Sequence, residues 1–193
     1  MKIVKYPHPC LRRKSKPLTR VDSELRQMIA TMFELMYEDD GVGLAANQVD
    51  LPYRLFVANL QGREARGEGE MALLNPVITK RSGTAEAEEG CLSLPGIWAP
   101  VRRAEKVTMV AYDLSGQQLQ LELDGLAARA AQHEIDHLDG VLFVDRLSPT
   151  NTLKVREALD SLERQFADDQ LRGIIPPDNE IVARLDELEG LRT

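Results

Sequence analysis

The sequence predicts an α+β fold made of one domain, residues 1–170, and an acidic C-terminal extension, residues 171–193. Two observations predict this class. Apolar residues recur at helical spacing near both ends of the chain, and strand-like segments occupy the middle. Helices and strands grouped in this way are typical of α+β proteins. A chain of 193 residues is long enough for one such domain.

Three helices are predicted. The first covers residues 22–37, where Asp22 can accept a hydrogen bond from a free N–H of the first turn. The second covers residues 125–139, and a glycine follows it as a C-terminal cap. The third, a C-terminal helix, opens at Ser148-Pro149, a cap followed by a first-turn proline. The acidic extension is predicted to form either a short helix or a frayed tail.

Strands are predicted from apolar runs that are bounded by polar turns. The four longer ones cover residues 54–60, 71–79, 106–114 and 118–123. A hairpin turn at 113–116 joins the last two, and residues 61–70 are polar and glycine-rich, as in a flexible hairpin loop. A short strand is predicted at residues 141–144.

The charge and cysteine content exclude several classes of protein. The chain has 24 Lys and Arg against 31 Asp and Glu, a formal net charge of −7, which argues against direct reading of nucleic acid. No apolar run approaches the roughly 18 residues of a membrane span. Two cysteines favour a reducing compartment. Residues 1–20 are basic, but three prolines there break the helix of an organelle transit peptide, so we expect a cytoplasmic protein of bacterial type.

One motif carries chemistry: His133, Glu134 and His137 form H-E-x-x-H inside the second predicted helix. Residues four apart lie on one face of a helix, so both imidazoles can reach one metal ion. The glutamate then stands beside the ion as a base. The spacing therefore predicts a metal site with hydrolytic capacity.

A catalytic site of this type needs a third protein ligand and an open position for water. Cys91 is the best candidate, since a thiolate is a strong ligand for a borderline-soft divalent ion and the preceding glycine permits an unusual turn. His8 lies between two prolines in an extended segment and is the weaker choice. Cys10 has no such neighbours and is expected to be structural.

The segment Gly41-Val-Gly-Leu-Ala-Ala46 matches the dinucleotide fingerprint G-x-G-x-x-A. That fingerprint must follow a strand and open a helix, whereas here a helix precedes it and a strand follows, so we reject nucleotide binding. A glycine-rich loop can still bring backbone N–H and C=O groups close to a ligand. Gln48, just after it, can supply a side-chain donor.

Three segments together resemble the signature motifs of peptide deformylases, in order along the chain. They are Gly41-Val-Gly-Leu-Ala-Ala-Asn-Gln48, Glu89-Gly-Cys-Leu-Ser93 and Gln132-His-Glu-Ile-Asp-His137. The start, Tyr6-Pro-His-Pro-Cys-Leu-Arg12, is also similar to that of the family, and the resemblance covers about residues 3–165. It implies antiparallel β-sheets packed around a central helix that carries the H-E-x-x-H motif, plus the C-terminal helix.

The resemblance also implies an activity, hydrolysis of the formyl group from the N-terminal formyl-methionine of newly made polypeptides with release of formate. Three side chains would bind the metal: Cys91, His133 and His137. The implied ion is Fe²⁺, for which Zn²⁺, Ni²⁺ or Co²⁺ can substitute. A metal-bound hydroxide would attack the formyl carbon, with Glu134 as general acid and base. The amide of Gln48 and the backbone N–H of Leu92 would stabilise the negative charge on the formyl oxygen.

The implied partners are N-formyl-methionyl peptides and nascent chains. An extended peptide would pair with backbone groups around Val42 and Gly43. Three residues are candidates for the pocket of the methionine side chain: Val42, Leu126 and Ala130. Arg129 is expected to point into solvent, with a narrowed or more polar pocket as the alternative. The acidic extension argues against docking on the ribosome through a basic C-terminal helix.

Two acids near the motifs, Glu89 and Asp136, are candidates to orient the histidines. Metal-bound imidazoles usually donate their other N–H to a carboxylate or a carbonyl. Either acid can equally pair with Arg102 or Arg103, and the sequence leaves both arrangements open.

Two other functions fit an H-E-x-x-H motif. A zincin-type metalloprotease would cleave internal peptide bonds, but its third ligand usually follows the motif, where this sequence has no further His or Cys. A non-catalytic, metal-stabilised binding module would close the fourth ligand position and would not need a base. The presence of both Glu134 and Gln48 favours the deformylase.

Overall fold

The H-E-x-x-H helix packs against a five-stranded antiparallel sheet, and a two-stranded sheet flanks it. The computed structural model describes residues 1–61 and 66–193, and all elements below belong to those ranges. The helices are α1 (Ser23–Glu38), α2 (Gly125–Leu138), α3 (Pro149–Leu171) and α4 (Asp178–Arg192). The strands are β1 (Gly43–Ala45), β2 (Leu55–Asn59), β3 (Glu70–Ser82), β4 (Ala85–Cys91), β5 (Leu94–Arg103), β6 (Lys106–Tyr112) and β7 (Gln118–Asp124). The large sheet has the order β1-β2-β3-β6-β7, and the small sheet pairs β4 with β5.

Strand β2 is buried on both faces because the large sheet lies between two helices. Leu55 and Val57 share an apolar cluster with the buried stripe of α1. Phe56 and Ala58, which point to the opposite face, share a second cluster with Ile135 of α2. This packing holds α2 against the sheet. The predicted α+β class, with antiparallel sheets and a C-terminal helix, is confirmed.

The helices begin and end close to their predicted positions. Asp22 caps α1, since its carboxylate accepts from the N–H of Leu25 at 2.8 Å. Helix α2 ends at Leu138, and Gly140 follows it with a φ of 75°. A Cβ at Gly140 would lie 2.6 Å from the carbonyl oxygen of Arg12, so glycine is required there for space as well. Among the described residues, no helix is long and apolar enough to cross a membrane.

The four longer strands predicted from the sequence are confirmed as β2, β3, β6 and β7, with ends shifted by at most three residues. The turn between β6 and β7 is closed by a hydrogen bond from the N–H of Asp113 to the carbonyl of Gln117 at 3.0 Å. The loop predicted at residues 61–70 falls partly outside the described residues.

The short strand predicted at residues 141–144 is wrong, because Phe143–Arg146 form a 3₁₀-helix instead. The side chain of Asp145 accepts from the N–H of Leu142 at 2.7 Å and closes this turn. Phe143 and Val144 are buried beneath α3 in an apolar cluster with β5. A short apolar run fits a buried strand and a buried helical turn equally well, so periodicity alone gave the wrong element.

Strands β1, β4 and β5 were not predicted. Strand β1 lies within the glycine-rich loop, and β4 is mostly exposed and acidic, so neither has an apolar pattern. The antiparallel register pairs Gly90 with Trp98 and shifts between Gly90 and Cys91, where the chain turns into β5. This hairpin places Cys91 at the end of the small sheet nearest α2.

The acidic extension forms a helix, α4, which closes against the N-terminal segment. Ile181 and Leu185 pack on Cys10, which is completely buried, in agreement with its expected structural role. The alternative of a frayed tail is therefore wrong for residues 178–192.

Polar contacts fix α4 to the start of the chain through a group that we call the C-terminal clamp: Arg13, Asp22, Tyr53, Glu189 and Arg192. The Arg192 guanidinium donates to Asp22 at 2.9 Å and to the Tyr53 hydroxyl at 2.8 Å. Glu189 accepts from Arg13 at 2.8 Å. Arg192 is only 2 % exposed although it is the penultimate residue.

Candidate metal centre and active site

Helix α2 presents His133 and His137 toward the end of β4, where Cys91 completes a three-residue cluster. The ligand atoms of these side chains lie within 4.8 Å of one another. The Cys91 Sγ is 3.2 Å from Nε2 of His137. Bond lengths of about 2.3 Å to sulfur and 2.0–2.1 Å to nitrogen in a tetrahedral site require a separation near 3.5 Å. The cluster therefore fits one divalent ion with little adjustment.

Nitrogen donors surround the sulfur of Cys91. The backbone N–H of Ser93 lies 3.4 Å from Sγ, and Nε2 of Gln48 lies 3.5 Å from it. Both donors can hydrogen-bond to the sulfur and hold it beside the two histidines.

The Gln48 amide is held by hydrogen bonds on both sides. Its Oε1 accepts from the N–H of Ala45 at 2.9 Å, at the end of β1. Its Nε2 donates to the Ser93 hydroxyl at 3.3 Å. The side chain is only 2 % exposed, so the amide presents its N–H groups to the metal cluster in a fixed orientation.

Glu89 orients His133. Its Oε2 lies 3.1 Å from Nδ1 of His133, which leaves Nε2 of that ring for a metal ion. Arg103 donates two hydrogen bonds to the same carboxylate, at 2.6 and 2.8 Å. Burial would raise the pKa of Glu89, but the hydrogen bonds from His133 and Arg103 outweigh it and hold the pKa at about 2.

The carboxylate of Glu89 belongs to an ionic cluster that we call the Glu89 network: Glu89, Arg103, Arg129, Asp136 and Arg146. Arg146 is exposed, and the other four side chains are largely buried. Arg103 also donates to Asp136 at 2.7 Å, and Arg146 binds Asp136 from the other side. The network ties α2 to β4 and β5. It settles the pairing left open by the sequence, because Arg103 rather than Arg102 contacts both acids.

Arg129 does not point into solvent, contrary to expectation. Its guanidinium donates to Glu89 at 2.5 Å and to the carbonyl oxygens of Val101 and Ala85 at 2.9 and 3.0 Å. The guanidinium N–H groups form a fork that can satisfy several acceptors, and the small sheet offers three acceptors within reach of α2. Arg129 therefore lines the polar side of the cleft.

Glu134 lies on α2 between the two histidines and beside β1. It is 4 % exposed, and its Oε2 makes no hydrogen bond with any residue that the structure describes. Burial raises the pKa of this carboxyl to about 7. A Cβ at Gly43 would lie 2.6 Å from Oε1 of Glu134, so glycine is required at that position to leave room for the carboxylate.

A cleft of about 820 Å³ opens onto this cluster. Nine of the ten residues predicted for the site line it: Val42, Gly43, Gln48, Cys91, Leu92, Leu126, Ala130, His133 and Glu134. The tenth, His137, is buried behind them in the metal cluster. Leu126 is 62 % exposed and lies at the rim, whereas Ala130 is buried.

Comparison with known proteins agrees with this geometry. A family model for polypeptide deformylase matches residues 1–152. The chain belongs to the polypeptide deformylase family. Enzymes of this family remove the N-formyl group from polypeptides in a metal-dependent hydrolysis, and this chain is such an enzyme.

Individual deformylases extend the match over nearly the whole chain. A peptide deformylase of Rhodopirellula baltica is 42 % identical over 100 % of this chain and 96 % of its own length. The chloroplastic peptide deformylase 1B of Oryza sativa subsp. japonica is 43 % identical over 93 % of this chain and 66 % of its own length. The crystal structure of Arabidopsis thaliana peptide deformylase 1B with an inhibitor has a TM-score of 0.84 and 42 % identity, covering 91 % of this chain and 96 % of that one.

Three groups at the deformylase site were missed by sequence reasoning: Arg146, Lys5 and Trp98. Lys5 donates from Nζ to the carbonyl oxygen of Leu92 at 2.8 Å and lines the cleft. Trp98 also lines the cleft. These residues come from the irregular N-terminal segment, from β5 and from a 3₁₀-helix, so no local motif links them to the ligands.

Proposed function

We propose that Cys91, His133 and His137 hold one Fe²⁺ ion, with Zn²⁺, Ni²⁺ or Co²⁺ able to substitute. The observation that carries this proposal is the convergence of one sulfur and two imidazole donors beside the buried carboxylate of Glu134, one oxygen of which has no hydrogen-bond partner within residues 1–61 and 66–193. Thiolate and imidazole suit late first-row divalent ions, and geometry and supply decide among them. If iron is the resident ion, activity should decay in air as the metal and the thiolate oxidise.

Glu134 moves the proton. A bound divalent ion would lower the pKa of a water molecule toward about 7 and polarise the formyl carbonyl. Glu134 accepts a proton from the attacking water at Oε2 and returns it to the nitrogen of the leaving methionine amine. Burial keeps the pKa of Glu134 at about 7, so the carboxyl can both take up and release a proton near neutral pH.

Gln48 and Leu92 stabilise the negative charge that develops on the formyl oxygen. The Nε2 of Gln48 is already directed at the cluster by its contacts with Ser93 and Cys91. The backbone N–H of Leu92 follows the proposed cysteine ligand directly. Loss of one donor of this kind typically raises the barrier by roughly 2.7–4 kcal/mol.

The substrate peptide binds in extended form between two strand edges. In the part of the chain that the structure describes, β1 is an edge strand of the large sheet, and β4 pairs with β5 along one edge only. Val42 and Gly43 border the cleft on one side and Gly90 on the other. An added strand can therefore form backbone hydrogen bonds in the cleft, which gives affinity for any sequence.

The methionine side chain lies among Val42, Leu126 and Ala130. Ala130 is small and buried, which leaves room near His133 for an unbranched side chain.

The partners are N-formyl-methionyl peptides and nascent chains. We place the enzyme in a bacterial cytoplasm. Stable docking on the ribosome is not expected, because α4 is acidic. Co-sedimentation with ribosomes across a salt series tests this expectation.

Formate release from formyl-Met-Ala-Ser, measured anaerobically with Fe²⁺ or Ni²⁺ supplied, tests the function. We expect turnover that depends on the metal. Cys91→Ser should lose bound metal and activity, while Cys10→Ser, a change at the other cysteine, should keep one ion per chain. No turnover in fully metal-loaded protein would refute the proposed function.

A further inference from the structure

Residues 4–6 hold the backbone beside the two proposed donors to the formyl oxygen. The N–H of Val4 donates to the carbonyl oxygen of Gln48 at 2.8 Å. The N–H of Tyr6 donates to the carbonyl oxygen of Ser93 at 2.9 Å. Lys5 lies between them in sequence and lines the active-site cleft. The N-terminal segment therefore connects the residue that supplies one donor with the residue that follows the other.

The second donor, the backbone N–H of Leu92, belongs to a tight turn. In the hairpin of β4 and β5, Cys91 pairs with Leu94. Leu92 and Ser93 are therefore the two turn residues and lie outside the ladder. Turn types differ in the orientation of the peptide group between these residues, since ψ of the first residue changes by about 150° between types I and II. The ladder alone does not fix the orientation of the Leu92–Ser93 peptide group.

Lys5 holds this peptide group by its oxygen. Its Nζ donates to the carbonyl oxygen of Leu92 at 2.8 Å. Within residues 1–61 and 66–193, that oxygen is the only hydrogen-bond partner of Nζ. A hydrogen bond from a charged donor is stronger than one between neutral groups. The contact therefore opposes rotation of the peptide group in the turn.

The nitrogen end of the same peptide group contacts the proposed metal ligand. The N–H of Ser93 lies 3.4 Å from Sγ of Cys91, and Ser93 is completely buried. A peptide group is planar, so its oxygen and its N–H turn together. Rotation would remove the N–H from the sulfur and bring the carbonyl oxygen of Leu92 toward it. The bond from Lys5 at the oxygen end thus preserves the contact at the sulfur end.

We propose that Lys5 is a positioning residue that fixes the Leu92–Ser93 peptide group, and through it the sulfur of Cys91 and the N–H of Leu92. The proposal rests on the proposed function, in which these two groups serve the reaction. The donor of Leu92 acts on charge that develops in the transition state. Loss of such an interaction lowers kcat and kcat/KM together and leaves KM nearly unchanged.

Kinetics with formyl-Met-Ala-Ser on metal-loaded enzyme test the proposal. Lys5→Met keeps a long unbranched side chain without a donor, so kcat should fall about tenfold while KM stays within about twofold. Lys5→Arg keeps a charged donor and should restore most of kcat. Lys2→Met, at an exposed lysine that does not line the active-site cleft, is the matched control and should change neither constant. An unchanged kcat in Lys5→Met, or an equal loss in Lys5→Arg, would overturn the proposal.

Hydrogen exchange gives a readout that does not depend on turnover. In metal-loaded Lys5→Met, the amide of Ser93 should exchange about tenfold faster, while the amides of α1 keep their rates. The melting temperature should stay the same. Equal acceleration throughout the chain would indicate general destabilisation and would overturn the positioning role.

The absorption of cobalt-loaded protein reports on the sulfur directly. Groups that hydrogen-bond to a ligand tune the metal that it binds. The sulfur-to-cobalt charge-transfer band should therefore shift in Lys5→Met and keep its position in Lys2→Met. An identical band in both variants would contradict the link from Lys5 to Cys91. If the unchanged, metal-loaded enzyme does not hydrolyse the peptide, the proposed function fails, whereas exchange and absorption still test the role of Lys5.

Discussion

Two networks of arginine and carboxylate side chains stabilise this molecule, one beside the candidate metal ligands and one between the chain ends. In the Glu89 network, Arg103 joins Glu89 to Asp136 at 2.6 to 2.8 Å. In the C-terminal clamp, Arg192 donates to Asp22 at 2.9 Å. Both arginines are almost fully buried, at 6 % and 2 % exposure. Both networks therefore carry a cost for removing charges from water, and this cost is larger for Glu89, whose side chain is 5 % exposed, than for Asp22, whose side chain is 32 % exposed.

The networks differ in what their carboxylates contact. Glu89 accepts from His133 and so positions a candidate ligand. Glu189 binds Arg13, 176 residues away in sequence, and so joins the two ends of the chain. Buried charge thus has two uses in one fold. Changes in the Glu89 network should alter metal binding and turnover, and changes in the clamp should alter stability alone.

The clamp also explains the uneven distribution of charge along the chain. Arg13 pairs with Asp186 and Glu189 at 2.6 and 2.8 Å, and Lys16 pairs with Glu189 at 2.6 Å. The basic start and the acidic end therefore neutralise each other within the folded protein. The boundary at residue 170 between a catalytic domain and an extension stays a prediction, although α4 contributes to the burial of Cys10.

The largest expected effect is on turnover, and it comes from a residue that belongs to neither network. Glu134→Gln keeps the size of the side chain but cannot accept a proton, so turnover should fall by about 10²–10⁴-fold. Bound metal and the melting temperature should stay unchanged. Formate release, metal analysis and thermal unfolding measure the three quantities, with the exposed Glu157→Gln as the control. Turnover within a few-fold of the unchanged enzyme would exclude Glu134 as the base.

A change inside the Glu89 network should lower both stability and metal affinity. Arg103→Met leaves two buried carboxylates without their main cation, which costs about 3–5 kcal/mol of unfolding free energy. Metal affinity should drop roughly 10–100-fold because His133 loses its fixed orientation. Chemical unfolding and competition with a chelator check both numbers. The neighbouring Arg102→Met, on the exposed face of β5, should change neither, and equal effects of the two variants would contradict this role of Arg103.

Sequence reasoning succeeded where a local pattern carries the information. The stripe of α1, the ligand spacing on α2 and the cap at Ser148 all lie within a few residues of one another, and each is present in the structure. The Glu89 network was harder to predict from the sequence, because its members come from β4, β5, α2 and a 3₁₀-helix. One signal did exist: Val101 and Arg103 alternate with the exposed Arg102, so Arg103 lies on the buried face of β5. The roles of the ten site residues stay predictions.

A change in the C-terminal clamp should affect stability only. Arg192→Met removes the donors to Asp22 and Tyr53 and should lower the unfolding free energy by about 2 kcal/mol. Turnover per folded molecule and metal content should remain the same, since no clamp residue lines the cleft. Arg156→Met, which breaks an exposed pair with Asp160 on α3, should cost about 0.5 kcal/mol or less. A loss of turnover in Arg192→Met at low temperature would show that the two networks are coupled.

The two cysteines report on the two regions separately. Burial raises the pKa of the Cys10 thiol, so iodoacetamide should not label it in the folded chain. Cys91 should be labelled after metal removal and protected when metal is bound. In Arg192→Met, labelling of Cys10 should accelerate roughly tenfold, because α4 must open before Cys10 is reached. Mass spectrometry of the peptides measures both rates, and fast labelling of Cys10 in the unchanged chain would contradict the packing of α4.

The smallest expected effect is the dependence of the clamp on pH. Burial would raise the pKa of Glu189, but hydrogen bonds from Lys16 and Arg13 outweigh it and hold the pKa below its ordinary value. A carboxyl with a lowered pKa stabilises the folded state above its unfolded-state pKa, and this stabilisation is lost as the pH falls through the folded-state pKa. Glu189→Gln should therefore cost about 1 kcal/mol at pH 7, and this cost should shrink steadily as the pH falls below the ordinary carboxyl range. Unfolding of both proteins across this range measures the difference; a constant difference would mean that Glu189 acts by packing, and the charge pairing of the chain ends would then contribute little.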